Sequence, residues 1–208
     1  MSTDLTLYSN PMSRGRIARW MLEEIGAPYQ VKYLEYGTTM KDKEYLSWNP
    51  MGKVPALQHG DTVVTEAAAI CAYLADAFPA AGLAPPMDQR ASYYRWLFFA
   101  AGPIEAAVTI RSLNMDIPAD KQGTVGFGNY ERMLDTLEYA CRQSDFLAGD
   151  TFSAADVYVG AQIGFGFQFG TLEKRPAMEK YWDQVSDRDA YKRASELDNA
   201  AMAAQAPG

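Results

Sequence analysis

Ten residues, PAAGLAPPMD (79–88), hold three prolines and a glycine and divide the chain into parts of different periodicity. Proline removes a backbone donor and fixes φ, so neither a helix nor a central strand runs through such a stretch. Before it, two-residue alternation and helical spacing take turns. After it, only helical spacing remains. The chain therefore reads as an α/β domain at residues 1–80, a linker at 81–87 and an all-α domain at 88–208. A length of 208 residues suits two domains with ordinary cores.

In the first part DLTLY (4–8) alternates as a strand, and SNPMSRG breaks the pattern. Ile17, Trp20, Met21 and Ile25 then share one helical face, with Gly26 as the stop. YQVKYLEY (29–36) is a second strand, and a strand-helix-strand unit closes as a right-handed parallel pair. Residues 38–50 are polar, with one short helix around KDKEYL. A strand at 54–57, a turn at 58–61 and a strand at 62–64 make a hairpin. From Glu66 the stripe Ala67, Ile70, Cys71, Leu74 and Phe78 marks a helix that ends before Pro79. The order is βαβ then ββα.

In the second part the helical pattern of 89–113 is interrupted by Gly102 and Pro103, where a kink or break is expected. Tyr130, Met133, Leu134, Leu137 and Cys141 form the next stripe. FSAADVYVGAQIGFGF (152–167) is apolar nearly all round, which predicts a central, buried helix. RPAMEKYWDQVSD and AYKRASELDNAAM give two more, the first with Pro176 in its opening turn.

Several function classes are disfavoured. With 19 Lys and Arg against 26 Asp and Glu, the chain lacks the clustered positive charge that nucleic acid or an anionic membrane requires. Cys71 and Cys141 are far apart and neither belongs to a CxxC pair, which argues against a disulfide scaffold or a thiolate zinc site. The single histidine, His59, falls in a predicted turn, so a histidine metal site is not expected either. GFGFQFG lies in a helical pattern rather than after a strand and fails as a nucleotide phosphate loop. No secretory signal or membrane-length apolar run is visible, and a cytoplasmic protein is the expectation.

Ligands of such sheets gather at the carboxyl ends of strands. SNPMSRGR after the first strand, NPMGKVP before the third and TEAAA after the fourth all reach that edge. At Val54-Pro55 a cis bond would free the Val54 N–H and C=O to pair with an extended peptide, and trans proline at a sheet edge is the alternative. Glu66 at a helix start is favoured by the dipole whatever its role. A carboxylate beside the free N–H groups of a helix start also matches an α-amino acid head group.

NPMGKVPALQHGDTVVTEAAAICAYLA (49–75) resembles the glutathione-binding segment of cytosolic glutathione transferases, with its NP-x-G-x-VPAL run, hairpin and E-S-x-AI-x-x-YL helix. LTLYSNPMSRGRIARWMLEEIGAPY (5–29) is similar to the family's first strand and helix. FLAGDTFSAADVYVGAQI (146–163) is similar to its C-terminal capping box, with Ser153 as N-cap and Asp156 at N3. The resemblance covers nearly the whole chain and implies a thioredoxin-like α/β domain followed by an all-α domain, in a bacterial member with a serine-type active-site region. It implies glutathione as co-substrate, no metal or nucleotide, a hydrophobic electrophile as second substrate, and a homodimer.

The resemblance also assigns residues. Pro55 is the expected cis-proline, Val54 the backbone partner of the cysteinyl unit, and Glu66 the partner of the γ-glutamyl group. Lys53 and Lys41 are placed to reach the tripeptide and its glycyl carboxylate. Ala67 departs from the pattern, since the family's serine there donates a hydrogen bond to a carboxylate, worth about 1.5–3 kcal/mol.

Glutathione behaves roughly like free cysteine, with a thiol pKa of about 8.5, so the family's task is to stabilise the thiolate with a hydroxyl or amide donor and a helix N-terminus. By alternation Tyr8 and Ser9 point to opposite faces, and Tyr8 reads as packing. Ser13 matches the catalytic serine of plant-type members, Ser9 the serine of theta-like members, and Asn10 is a third candidate. Their shared alternative is N-capping. Arg14 and Arg16 oppose the dipole of the helix they open, and either could hold the thiolate. The electrophile pocket is expected between this site and the first helix of the second domain, where Tyr94, Phe98, Ile110 and Arg111 lie, though core packing explains such a stripe as well. Two rivals keep the same fold: a glutathione-dependent disulfide or peroxide reductase, and a non-catalytic glutathione-binding protein.

Overall fold

The computed structural model describes residues 4–205. By contacts these fall into two units, one of residues 4–82 with 187–205 and one of residues 83–186.

The first unit is built on four strands, β1 (Leu5–Ser9), β2 (Tyr29–Tyr33), β3 (Ala56–His59) and β4 (Thr62–Thr65), in the order β2-β1-β3-β4. β1 and β2 are parallel, and the other neighbours are antiparallel. Helices α1 (Gly15–Ile25) and α3 (Ala67–Ala77) pack on each other, and α2 (Lys43–Trp48) lies before the hairpin. Leu7, Leu57, Met21, Leu22, Ile70 and Leu74 are wholly buried, each contributing roughly 1.5–3 kcal/mol by leaving water. Alternation along β1 puts Tyr8 against Tyr45 and Trp48 of α2, and Ser9 against Gly15 of α1.

All four strands end at residues other than those of the sequence reading, and two of the shifts have identifiable reasons. β2 stops at Tyr33 rather than residue 36, because beyond Ser9 the chain turns and the Asn10 side chain takes the Leu34 carbonyl at 2.9 Å. β3 starts at Ala56 rather than residue 54, since Pro55 has no N–H to give to the ladder, and it runs on to His59, which the sequence reading placed in the turn.

The last helix, α9 (Asp189–Gln205), which the sequence groups with the helical part, packs on α1 within the first unit. Arg188, just before it, grips the Glu24 carboxylate through two bonds of 2.7 Å. Arg19 and Asp198, both almost fully buried, pair at 3.0 Å.

The second unit holds α4 (Ala91–Phe99), α5 (Glu105–Ser112), α6 (Tyr130–Gln143), α7 (Ala154–Phe169) and α8 (Pro176–Ser186). Between α4 and α5 the expected interruption takes the form of a π-helical segment, Ala100–Ile104, around Pro103. α7 is buried along most of its length. The Asp156 carboxylate accepts bonds from the Ser153 amide and hydroxyl, the Leu147 amide and the Tyr181 hydroxyl. Burial raises its pKa, and those donors oppose the rise. The GFGF glycines have a packing cause: a Cβ at Gly164 would lie 2.4 Å from the Trp182 ring, and one at Gly166 2.4 Å from Leu172.

Candidate functional site

The sheet register builds the site. Tyr8 pairs with Ala56, and Ala56 with Thr65, so these three form one row across β1, β3 and β4. The next residue on each path is Ser9 leading into the 10–14 loop, Pro55 after Val54, and Glu66. At about 4.8 Å between strands, the three segments leave the sheet side by side.

The 10–14 loop is organised by two side chains. Asn10 accepts the Met12 amide at 2.9 Å while its own amide holds the Leu34 carbonyl, so both ends of the side chain serve the backbone. Ser13 Oγ donates to the Asn10 carbonyl at 2.6 Å and accepts the Gly15 amide at 2.9 Å. Ser13 is half-buried at the opening of α1, whereas Ser9 is fully buried beneath it. Arg14 is exposed at the N-cap position. Arg16 Nε donates to the Pro11 carbonyl at 2.6 Å, so its head serves the loop backbone.

Around the cis bond, the Lys53 carbonyl accepts from Tyr45 Oη at 2.5 Å and from Asn49 Nδ2 at 2.9 Å. Lys41 Nζ donates to the carbonyls of Met51 and Gly52 at 3.2 and 3.0 Å. Gly52 is required here: its φ is +57°, and a Cβ would lie 2.8 Å from the Met40 carbonyl oxygen. Val54 lies outside the ladder, and no described residue hydrogen-bonds its backbone. Lys53 is exposed.

Glu66 is exposed and has φ 68° and ψ 122°, a conformation that a side chain adopts only at a cost of about 1–3 kcal/mol. It turns the chain from β4 into α3, whose first amides have no intrahelical partner. Ala67 is buried at the first position of α3.

The second unit carries the other four candidates. Tyr94 is 41% and Phe98 72% exposed on α4. Ile110 is half-buried on α5, and the Arg111 guanidinium stacks over the Tyr130 ring at 4.0 Å. Neither cysteine offers a reactive thiolate, since burial raises the Cys71 thiol and pushes the Cys141 thiol up to about 12. Among the described residues, no group of His, Cys, Asp or Glu could hold a metal.

Two family descriptions match: "Glutathione S-transferase, N-terminal domain" over residues 3–76 and "Glutathione S-transferase, C-terminal domain" over residues 105–189. "Glutathione S-transferase A" of Pleuronectes platessa is 31% identical over 163 residues, covering 73% of this chain and 72% of that protein. The chain belongs to the glutathione S-transferase family. A crystal structure of a glutathione transferase from Methylococcus capsulatus is 28% identical, with a TM-score of 0.77, over 94% of this chain and 99% of that one. A sphingomonad glutathione S-transferase, solved in complex with glutathione, is 26% identical with a TM-score of 0.76, over 93% of this chain and 98% of that one. Within this transferase, sequence reasoning missed Arg19, Asp198 and Asn199. Helical spacing alone cannot tell a solvated charged face from a covered one, and it is the position of α9 that marks these residues.

Proposed function

We propose that the 10–14 loop, Val54 and Glu66 form one glutathione site in which Ser13 stabilises the thiolate. The chain is a glutathione transferase, and glutathione is its co-substrate. The observation that carries the site reading is the Tyr8–Ala56–Thr65 row, which delivers the three segments to one edge of the sheet.

In this reading the Val54 N–H and C=O pair with the cysteinyl backbone as an added strand would. The first amides of α3 take the γ-glutamyl carboxylate, Glu66 takes its ammonium, and Lys41 and Lys53 face the glycyl carboxylate. Ser13 Oγ turns its proton from the Asn10 carbonyl to the sulfur. Because Oγ also accepts the Gly15 amide, that proton is the better donor, and the N-terminal end of α1 adds its positive potential. The thiol proton leaves to solvent. The sulfur lone pair forms the new S–C bond, and the leaving group departs with its electron pair or an adjacent acceptor takes it up. Ser9 has no part in this, because its hydroxyl is sealed under α1.

Tyr94, Phe98, Ile110 and Arg111 are proposed to meet the hydrophobic second substrate. A homodimer and cytoplasmic residence complete the proposal. No helix among the described residues is long and apolar enough to cross a membrane.

The test is the ultraviolet absorbance of the bound thiolate across pH in wild type, Ser9→Ala, Asn10→Ala and Ser13→Ala. The expected result is a bound thiol at least about one pKa unit below free, roughly 1.4 kcal/mol, retained in Ser9→Ala and lost in Ser13→Ala. A wild type that binds glutathione and leaves its thiol unshifted sinks the mechanism and favours a non-catalytic binder.

A further inference from the structure

α1 presents Arg16, Arg19, Trp20, Glu23 and Glu24 along one stripe, and each meets a residue between 188 and 199. Arg188 holds Glu24, and Arg193 Nε meets Glu23 Oε2 at 3.1 Å. The Tyr191 ring meets Trp20 edge-on at 4.8 Å, and Asp198 pairs with Arg19. At the top of the stripe, Asn199 Oδ1 accepts from Arg16 at 2.9 Å.

Arg19, Trp20, Glu23 and Glu24 make their other bonds to Tyr33, to each other or to Tyr29, whereas the other bond of Arg16 goes to the 10–14 loop. Its Nε reaches back to the Pro11 carbonyl, inside the loop that Asn10 and Ser13 organise. One planar guanidinium thus bridges α9 and the loop, and its plane is fixed only while both acceptors hold it. We propose that Asn199 is a positioning residue for the thiol donor: through Arg16 it holds the Pro11 carbonyl and so the placement of Ser13 Oγ at the opening of α1. The C-terminal helix is then part of the catalytic apparatus without touching glutathione. This rests on the reading of Ser13 as the donor.

The experiment compares wild type, Asn199→Leu, which removes the acceptor, and Asn199→Asp, which keeps one. Amide hydrogen exchange of Met12 and Gly15, read without glutathione, reports whether the loop is held. A bond to a charged group supports an acceleration of about tenfold or more in Asn199→Leu. Wild-type rates are expected in Asn199→Asp, and the Leu7 amide in β1 should stay unchanged in both. With glutathione, Asn199→Leu is expected to raise the pKa of the bound thiol and lower kcat at nearly constant KM, with Asn199→Asp restoring both. Unchanged Met12 and Gly15 exchange in Asn199→Leu overturns the coupling. Faster exchange with an unaltered thiol shift overturns the positioning role. An unshifted thiol in the wild type overturns the Ser13 reading by itself, and the exchange data then still decide whether Asn199 holds the loop.

Discussion

Ser9 Oγ and Gly15 fill the same space: a Cβ at residue 15 would sit 1.9 Å from that oxygen and 3.0 Å from Ser9 Cβ. The close approach lets α1 begin directly over the end of β1, and it leaves Ser9 Oγ buried without a hydrogen-bond partner among the described residues. Ser9→Ala therefore removes an unsatisfied hydroxyl and is expected to leave stability unchanged or raise it by up to about 1 kcal/mol, with activity intact. Gly15→Ala forces the first turn of α1 outward, at roughly 1–3 kcal/mol, against a helix-propensity gain of up to about 1 kcal/mol. Denaturant melts and kcat of the two single variants and of Ser9→Gly/Gly15→Ala check this. The double variant should recover most of the loss, and a Gly15→Ala enzyme with wild-type kcat would contradict the close fit.

Glu66 combines a backbone that favours glycine with a side chain to which the proposed site assigns the glutathione ammonium. Glu66→Gly relieves the positive φ and is expected to raise unfolding free energy by about 1 kcal/mol. It removes the proposed partner of the glutathione ammonium, so the Kd for glutathione should rise about tenfold or more. Opposite signs in thermal melting and calorimetric binding are the signature. A variant that is both weaker-binding and less stable points instead to a structural role for the carboxylate.

Much of this was legible because the signals are local. Alternation alone separated Tyr8 from Ser9, and Ser153 with Asp156 announced the start of α7. Val54-Pro55 could be read as a candidate bend because proline narrows the local choices to two. What stayed hidden depends on residues distant in sequence. A buried Arg19 is invisible until Asp198, at the other end of the chain, is laid against it, and helical spacing cannot tell a solvated charged face from one covered by another helix. Ser9, Asn10 and Ser13 are alike as sequence. Burial and hydrogen bonding separate them: one is sealed, one spends both ends of its side chain on the backbone, and one keeps an orientable hydroxyl at the helix opening.

Ala67 stands where the family pattern has serine, at the first position of a helix whose early amides lack partners. Ala67→Ser adds one hydroxyl toward the proposed γ-glutamyl carboxylate, and a bond to a charged group should tighten glutathione binding about tenfold or more. Calorimetry on wild type and variant measures it. The thiol pKa should not move, because the γ-glutamyl carboxylate is remote from the sulfur. An unchanged Kd would place the γ-glutamyl group elsewhere.

Asp198 gives the fold a pH dependence whose sign can be worked out. Burial dominates its surroundings and, despite the opposing pull of Arg19 and then Arg16, raises its carboxyl to about 6. In the unfolded chain an aspartate titrates near about 3.9. Between those values the folded state holds the proton more tightly, so this group's contribution is fully present below about pH 4 and lost as pH rises through about 6. The loss amounts to about 3 kcal/mol for roughly two pKa units. Asp198→Asn cannot titrate, so the difference between its unfolding free energy and that of the wild type should change by this amount between about pH 4 and pH 6.5 and level off above. Urea melts at half-unit steps measure it, with Trp20 fluorescence reporting α9 through Tyr191. Wild-type stability that rises across the window relative to Asp198→Asn would mean that Arg19 outweighs burial and that the pair is a net brace for the C-terminal helix.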